Sequence, residues 1–239
     1  MKGFIEKIIP DNDYRKVYFD LPGMGKTTTA KQIYKAQEMY DIIKCFIKLA
    51  IGEEKYILAG ESYGGYLSRK LIKDEPEKIL GAMFLCPVII PKAEERNLPP
   101  KALIYDNIAD NEIRESEVYK NFMDTAAISD VEILNEFEKN IYSGIKNGNE
   151  EFLSKYYQHG YAFLENIDEI KEPFEKPALF IAGKQDHIVG YEDLEKILNN
   201  YPRSTVCLMD ESGHNAQIEK PEICKILIMD WLERIGRRI

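Results

Sequence analysis

Five short apolar runs, continuous rather than alternating and each closed by turn residues, constrain this chain more than any other feature. They are KVYFD (16–20), KYILAG (55–60), ILGAMFLCPV (79–88), PALFIAG (177–183) and STVCLMD (204–210). A strand covered on both faces has no polar side to alternate with, so such runs belong in a parallel sheet between helices. Helical patterns separate them at about 28–50, 63–75, 191–199 and 219–235, and this alternation predicts an α/β fold. One interval breaks the rhythm: the stretch between CPVIIP (86–91) and KPALFIAG (176–183) is rich in charge and helical pattern but has no convincing strand. A structureless loop of that length does not suit a compact domain. Residues 92–172 are therefore predicted to be a helical insertion in a core made of 1–91 and 173–239.

The stretch DLPGMGKTTT (20–29) looks at first like a phosphate-binding loop. That loop needs G-x-x-x-x-G-K-[ST], whose first glycine lets successive backbone N–H groups curl toward the phosphates. Counting back from Gly25-Lys26-Thr27 places Asp20 there, which brings a carboxylate and a Cβ where an anion and a free backbone are required. Nucleotide binding is accordingly the weakest of the functional readings, and no second acidic, metal-binding strand follows the turn.

The chemistry concentrates at 60–65, Gly60-Glu61-Ser62-Tyr63-Gly64-Gly65, directly after the apolar YILA and before the helical YLSRKLI. In that context G-x-S-x-G makes a tight strand-to-helix turn that projects the serine hydroxyl clear of the sheet. A serine hydroxyl needs a base, and a histidine base needs a carboxylate to fix its tautomer. Of the three histidines, His214 in DESGHNAQ follows the last expected strand, and Asp186 in IAGKQDHIVG follows the one before. Both fall at the C-terminal edge of the sheet, where ligands gather in open α/β folds. Asp210 is an alternative acid. His187, adjoining Asp186, is a weaker candidate base, and His159 sits within the insertion as a packing or pocket residue. Glu61 is read as a structural hydrogen-bonding group beside the elbow. Tyr142, Tyr156, Tyr157 and Tyr161 are read either as pocket lining or as the core of the insertion.

The formal net charge of −9 argues against nonspecific nucleic-acid binding. No stretch approaches the ~18 consecutive apolar residues of a membrane helix, and the first residues lack a signal peptide, so a cytoplasmic protein is expected. Cys45, Cys86, Cys207 and Cys224 stand singly in apolar stretches, without metal-ligand spacing, and are read as buried reduced thiols.

These residues together resemble the α/β-hydrolase family. GESYGG resembles its nucleophile elbow, GKQDHIV its acid loop, SGH its histidine loop, and DLPGMGKT the glycine turn after an earlier strand. The resemblance implies a mostly parallel α/β-hydrolase sheet with a helical cap at 92–172. It also implies a Ser62-His214-Asp186 triad, an oxyanion contact from the Tyr63 N–H, and a small ester, amide or related carbonyl substrate, with neither metal nor organic cofactor. The family's third strand and its oxyanion loop have no counterpart in the sequence. The sheet is thus expected to be N-terminally incomplete, or else closed up with KVYFD beside KYILAG. A catalytically weak or inactive binding protein of the same fold is the alternative.

Overall fold

A computed structural model describes residues 1–9, 14–28 and 33–237. Helices α1 (Lys2–Ile8) and α2 (Ala36–Ala50) precede strand β1 (Tyr56–Glu61), α3 (Tyr63–Asp74) and β2 (Ile79–Leu85). The segment before the next sheet strand carries α4 (Asn111–Glu115), α5 (Glu117–Met123), α6 (Val131–Phe137), α7 (Ser143–Lys146) and α8 (Glu150–His159). It also carries a two-residue parallel pair, β3 (Tyr105–Asp106) with β4 (Ile128–Ser129). Strands β5 (Ala178–Gly183) and β6 (Ser204–Met209) follow, then α9 (Ala216–Glu219) and α10 (Pro221–Gly236).

The main sheet has the order β1-β2-β5-β6 with every pair parallel. Its register sets Glu61 opposite Leu85, Leu85 opposite Ile181, and Gly183 opposite Met209, so the chain leaves all four strands on one edge. Strands β2 and β5 are buried almost throughout, as their unbroken apolar runs require. Helix α3 packs on β1 and β2, and α10 on β5 and β2. The inserted segment has a cluster of its own around Phe122, Ile128, Leu134, Phe137 and Tyr142, while Tyr156, Phe163 and Ile167 join the main core.

Five sequence expectations are corrected here. KVYFD forms no strand: residues 16–20 run as irregular chain, with Phe19 stacked on Phe46 at 4.3 Å between ring centroids. Nor does this segment close up against β1, because a cavity of about 1000 Å³ has both residues 14–21 and residues 55–61 in its walls. The helix expected over 28–50 begins only at Ala36, where Glu38 accepts hydrogen bonds from the N–H groups of Tyr34 and Lys35 and so fixes the helix start; residues 29–32 lie outside the described residues. Around 191–199 two 3-10 turns, Glu192–Lys196 and Leu198–Asn200, replace an α-helix. There the buried Asp193 takes hydrogen bonds from the Asn97 backbone and side chain, and Leu194 and Ile197 reach the core at the three-residue spacing of that helix. Cys45 is exposed and Cys207 half-buried, while Cys86 and Cys224 are buried; all four are free thiols.

Helix α3 holds the returning end of the insertion through charge. The fully buried Arg69 grips Asp168 through two nitrogens, at 2.8 and 3.1 Å, and donates to the carbonyls of Val88 and Ile89. Lys70 and Lys73 both reach Glu165. Removing Arg69 strands one carboxylate and two buried carbonyls. Arg69→Ala is expected to cost about 3–5 kcal/mol, read as a lower urea midpoint; a loss under about 1 kcal/mol would show that water replaces the guanidinium.

Candidate active site

Ser62 stands between β1 and α3 with φ 51° and ψ −118°, a conformation an L-residue adopts only when its surroundings impose it. They do so from both sides: the Ser62 N–H donates to Leu85 O, and its own carbonyl accepts from Val88 N–H and Gly65 N–H. Of the nearby glycines, Gly60 and Gly65 are steric requirements, whereas a Cβ on Gly64 would meet open space. A Cβ on Gly60 would lie 2.6 Å from Gly64 O, and one on Gly65 would lie 2.7 Å from Pro87 Cβ.

Asp186 and His214 arrive from strands farther along. Because β1 and β6 are the outer strands, their ends are about 14 Å apart by ordinary strand spacing, so His214 reaches Ser62 only because its loop doubles back across the sheet edge. The crossing is visible at Gly183, where a Cβ would lie 2.2 Å from Ser212 O and 2.4 Å from Gly213 O. Gln185 accepts from the Ser212 N–H, and the Cys86 thiol donates to Gly213 O at 3.5 Å. The result is a chain of contacts: Ser62 Oγ lies 3.1 Å from His214 Nε2, and Asp186 Oδ2 lies 2.9 Å from His214 Nδ1. Asp186 is fully buried, and its other oxygen accepts from the N–H groups of Ile188 and Val189. Burial pulls the His214 imidazolium down, but the charge and hydrogen bond of Asp186, with Glu61 and Glu219 behind it, outweigh burial, and the net shift is upward.

The other sequence candidates fall elsewhere. Asp210 is exposed and accepts from Gln185 Nε2 at 2.9 Å, so it does not serve His214. His159 is exposed at the end of α8 and His187 is half-buried. Glu61 accepts from Gln217 Nε2 and faces the Met1 amino group at 3.5 Å. Tyr63 turns its side chain into the insertion, with its hydroxyl 2.6 Å from that of Tyr156 and its ring stacked on Tyr161. Tyr142 is buried within the insertion's own cluster.

In DLPGMGKT the carboxylate of Asp20 occupies the turn itself, where it accepts from the Lys26 N–H, while the Lys26 side chain is exposed. The N–H groups of Gly23, Met24 and Thr27 are spent on Thr27, Leu21 and Met24 carbonyls. With the Lys26 N–H on Asp20, four N–H groups of the described turn are thus committed within it rather than aimed at an anion. Cys86, Asp186 and His214 offer possible ligand atoms within 4.8 Å of one another. Their chemistry does not suit a cation, since burial and the charge of Asp186 push the Cys86 thiol well up and the other two engage each other.

The 1000 Å³ cavity opens at Ser62 and His214 and runs along the outer edge of β1. Met24 from the glycine turn and Ile141, Ile145, Tyr157 and Tyr161 from the insertion share its lining. Sequence reasoning missed Met24 as a lining residue and missed Thr125 and Glu219, which bond to distant segments. No helix among the described residues is long and apolar enough to cross a membrane.

A parallel sheet with a serine on a strained strand-to-helix turn, faced by histidine and aspartate from later strands, defines an α/β protein with a polar cluster at the C-terminal edge of its sheet. Residues 3–221 match the family model described as alpha/beta hydrolase fold, and the chain belongs to that family of hydrolases. Among curated proteins it is similar to the uncharacterized hydrolase YugF of Bacillus subtilis (strain 168), 23% identical over 234 residues, covering 95% of this chain and 84% of that one. It is also similar to the monoacylglycerol lipase ABHD6 of Mus musculus, 22% identical over 255 residues, covering 97% and 71%. An alpha/beta superfamily hydrolase structure from Oenococcus oeni PSU-1 shares the fold with a TM-score of 0.90 at 24% identity, over 98% of this chain and 87% of that one.

Proposed function

We propose that this enzyme is a serine hydrolase that cleaves a small carboxylic ester, amide or related carbonyl compound, with Ser62 as nucleophile, His214 as general base and Asp186 as its orienting acid. The observation that carries this reading is the 3.1 Å approach of His214 Nε2 to Ser62 Oγ, with Asp186 on the opposite ring nitrogen. Ser62 Oγ attacks the carbonyl carbon while Nε2 takes its proton. The oxygen that becomes negative is held by the Tyr63 N–H at the start of α3, where N–H groups have no intrahelical acceptor. His214 then returns the proton to the leaving group as the C–O or C–N bond breaks. A water repeats the sequence on the acyl-enzyme and releases the acid. Residues 92–172 serve as a lid whose Ile141, Ile145, Tyr157 and Tyr161 face the apolar part of the substrate. A carboxylic ester is favoured within this range because a similar curated protein is a monoacylglycerol lipase.

Stoichiometric labelling of Ser62 by a fluorophosphonate, together with hydrolysis of a p-nitrophenyl ester, tests the reading. One observation favours the second reading, a weak or inactive binding protein: the N–H groups of Gly23, Met24, Lys26 and Thr27 are committed within their own turn and supply no second oxyanion donor. Absence of labelling in folded protein would establish that alternative.

The general base must be neutral, so turnover is lost as pH falls through the His214 value. Since that value is raised, the acid limb of kcat/KM is expected above the ordinary histidine value of about 6.5. A limb below about pH 6 would show that His214 is not the group titrating.

A further inference from the structure

We propose that Glu219 is a positioning residue that ties segment 125–128 of the insertion to the histidine loop, so that the lid and the base His214 are held as one unit. The inference rests on the serine-hydrolase reading for its catalytic consequence, and on geometry alone for the tie itself. Glu219 closes the short helix α9 five residues after His214, and its side chain is buried. One carboxylate oxygen accepts from the Gly213 N–H at 2.6 Å, the other from the Ala127 N–H at 2.7 Å. Around this clamp lie two further stitches between the same segments. Asn215 Nδ2 donates to Thr125 Oγ1 at 2.7 Å, and the His214 N–H points at Thr125 O at 3.4 Å. Gly213 is packed so closely there that a Cβ would sit 2.5 Å from Thr125 O. Residues 213, 214 and 215 are thus each joined to 125–127, and no direct bond from the insertion to Ser62 is needed for the lid to influence the base.

The arrangement requires a carboxylate. The Ala127 and Gly213 N–H groups reach separate oxygens of one side chain, and the Ile128 N–H also bears on it, so both terminal atoms must be acceptors. No cation among the described residues partners it; burial lifts its carboxyl to about 7 against the pull of those hydrogen bonds. The charge of Asp186 also raises it, and His214, Tyr105 and Cys224 all feel the charge of Glu219 in turn. A neutral amide of the same shape keeps one acceptor and turns an NH₂ toward the other donor, so Glu219→Gln opens one stitch while preserving volume.

At about pH 8.5, where Glu219 is ionised, Glu219→Gln is expected to lower kcat on a p-nitrophenyl ester about 10-fold, with KM within about threefold. Backbone hydrogen exchange should accelerate together in 125–128 and 212–215 while β2 and β5 keep their protection. A folded variant with kcat unchanged within about twofold, or exchange that quickens in only one of the two segments, would overturn the proposal. A wild-type protein without esterase activity would instead remove the hydrolase reading, and the paired exchange signature would still decide the tie. If Glu219→Gln does not fold, Thr125→Val removes the Asn215 acceptor and leaves Glu219 intact. It should show the same paired signature with about a threefold loss of kcat; no change in either readout counts against the tie.

Discussion

Ser62→Ala is expected to abolish fluorophosphonate labelling and to lower ester hydrolysis by about 10⁴–10⁶-fold, to the level that binding and the Tyr63 N–H alone sustain. The fold should be unaffected, because alanine keeps the Cβ and the Ser62 backbone remains pinned by Leu85, Val88 and Gly65. Ser62→Gly separates the two aspects of the residue. It is equally inactive but relieves the positive φ, and should be more stable than the alanine variant by about 1 kcal/mol. Retention of more than about 1% of turnover in Ser62→Ala would place the nucleophile elsewhere, whatever the geometry of the elbow.

Asp186→Asn should cost about 10⁴ in kcat, and the surroundings of the carboxylate give the reason. Its Oδ1 is held by the N–H groups of Ile188 and Val189, so the oxygen of an asparagine stays on that side and the NH₂ faces His214. The ring must then accept at Nδ1 and carry its proton on Nε2, pointing at Ser62 Oγ, where a base is needed. Loss of the charge also removes the main contribution that raises the imidazole, so the residual activity should show its acid limb at lower pH. A variant within tenfold of wild type would mean that another carboxylate orients the histidine. Asp210 is not available for that task, being turned to Gln185 and solvent.

The positions of Ser62, Asp186 and His214 were legible because each follows an apolar run that ends at the same sheet edge. The runs at 55–60, 79–88, 177–183 and 204–210 all contain strands. KVYFD was misread because an apolar run need report neither pairing nor burial: no residue of 16–20 is fully buried, Val17 is exposed, and Phe19 is only partly covered by stacking on Phe46. The 3-10 turns at 192–200 escaped for a related reason, since apolar residues three apart fit either helix. Glu219 was invisible as a site residue because one of its two partners, Ala127, lies 92 positions away. Thr125 belongs with it, since its bonds to Asn215 and to the His214 N–H form where one loop is laid against another, and no local pattern encodes that.

The doubling-back of the histidine loop across Gly183 makes the proposed triad a ruler of the sheet. A residue's advance along a strand is about 3.3 Å, so a slip of one position in the pairing of β6 with β5 would carry the His214 ring out of reach of Ser62 while leaving helix content unchanged. Catalysis then reports strand alignment more finely than any spectroscopic average over the backbone. In mild denaturant, activity should disappear ahead of the far-ultraviolet signal, with the β5–β6 seam giving way first.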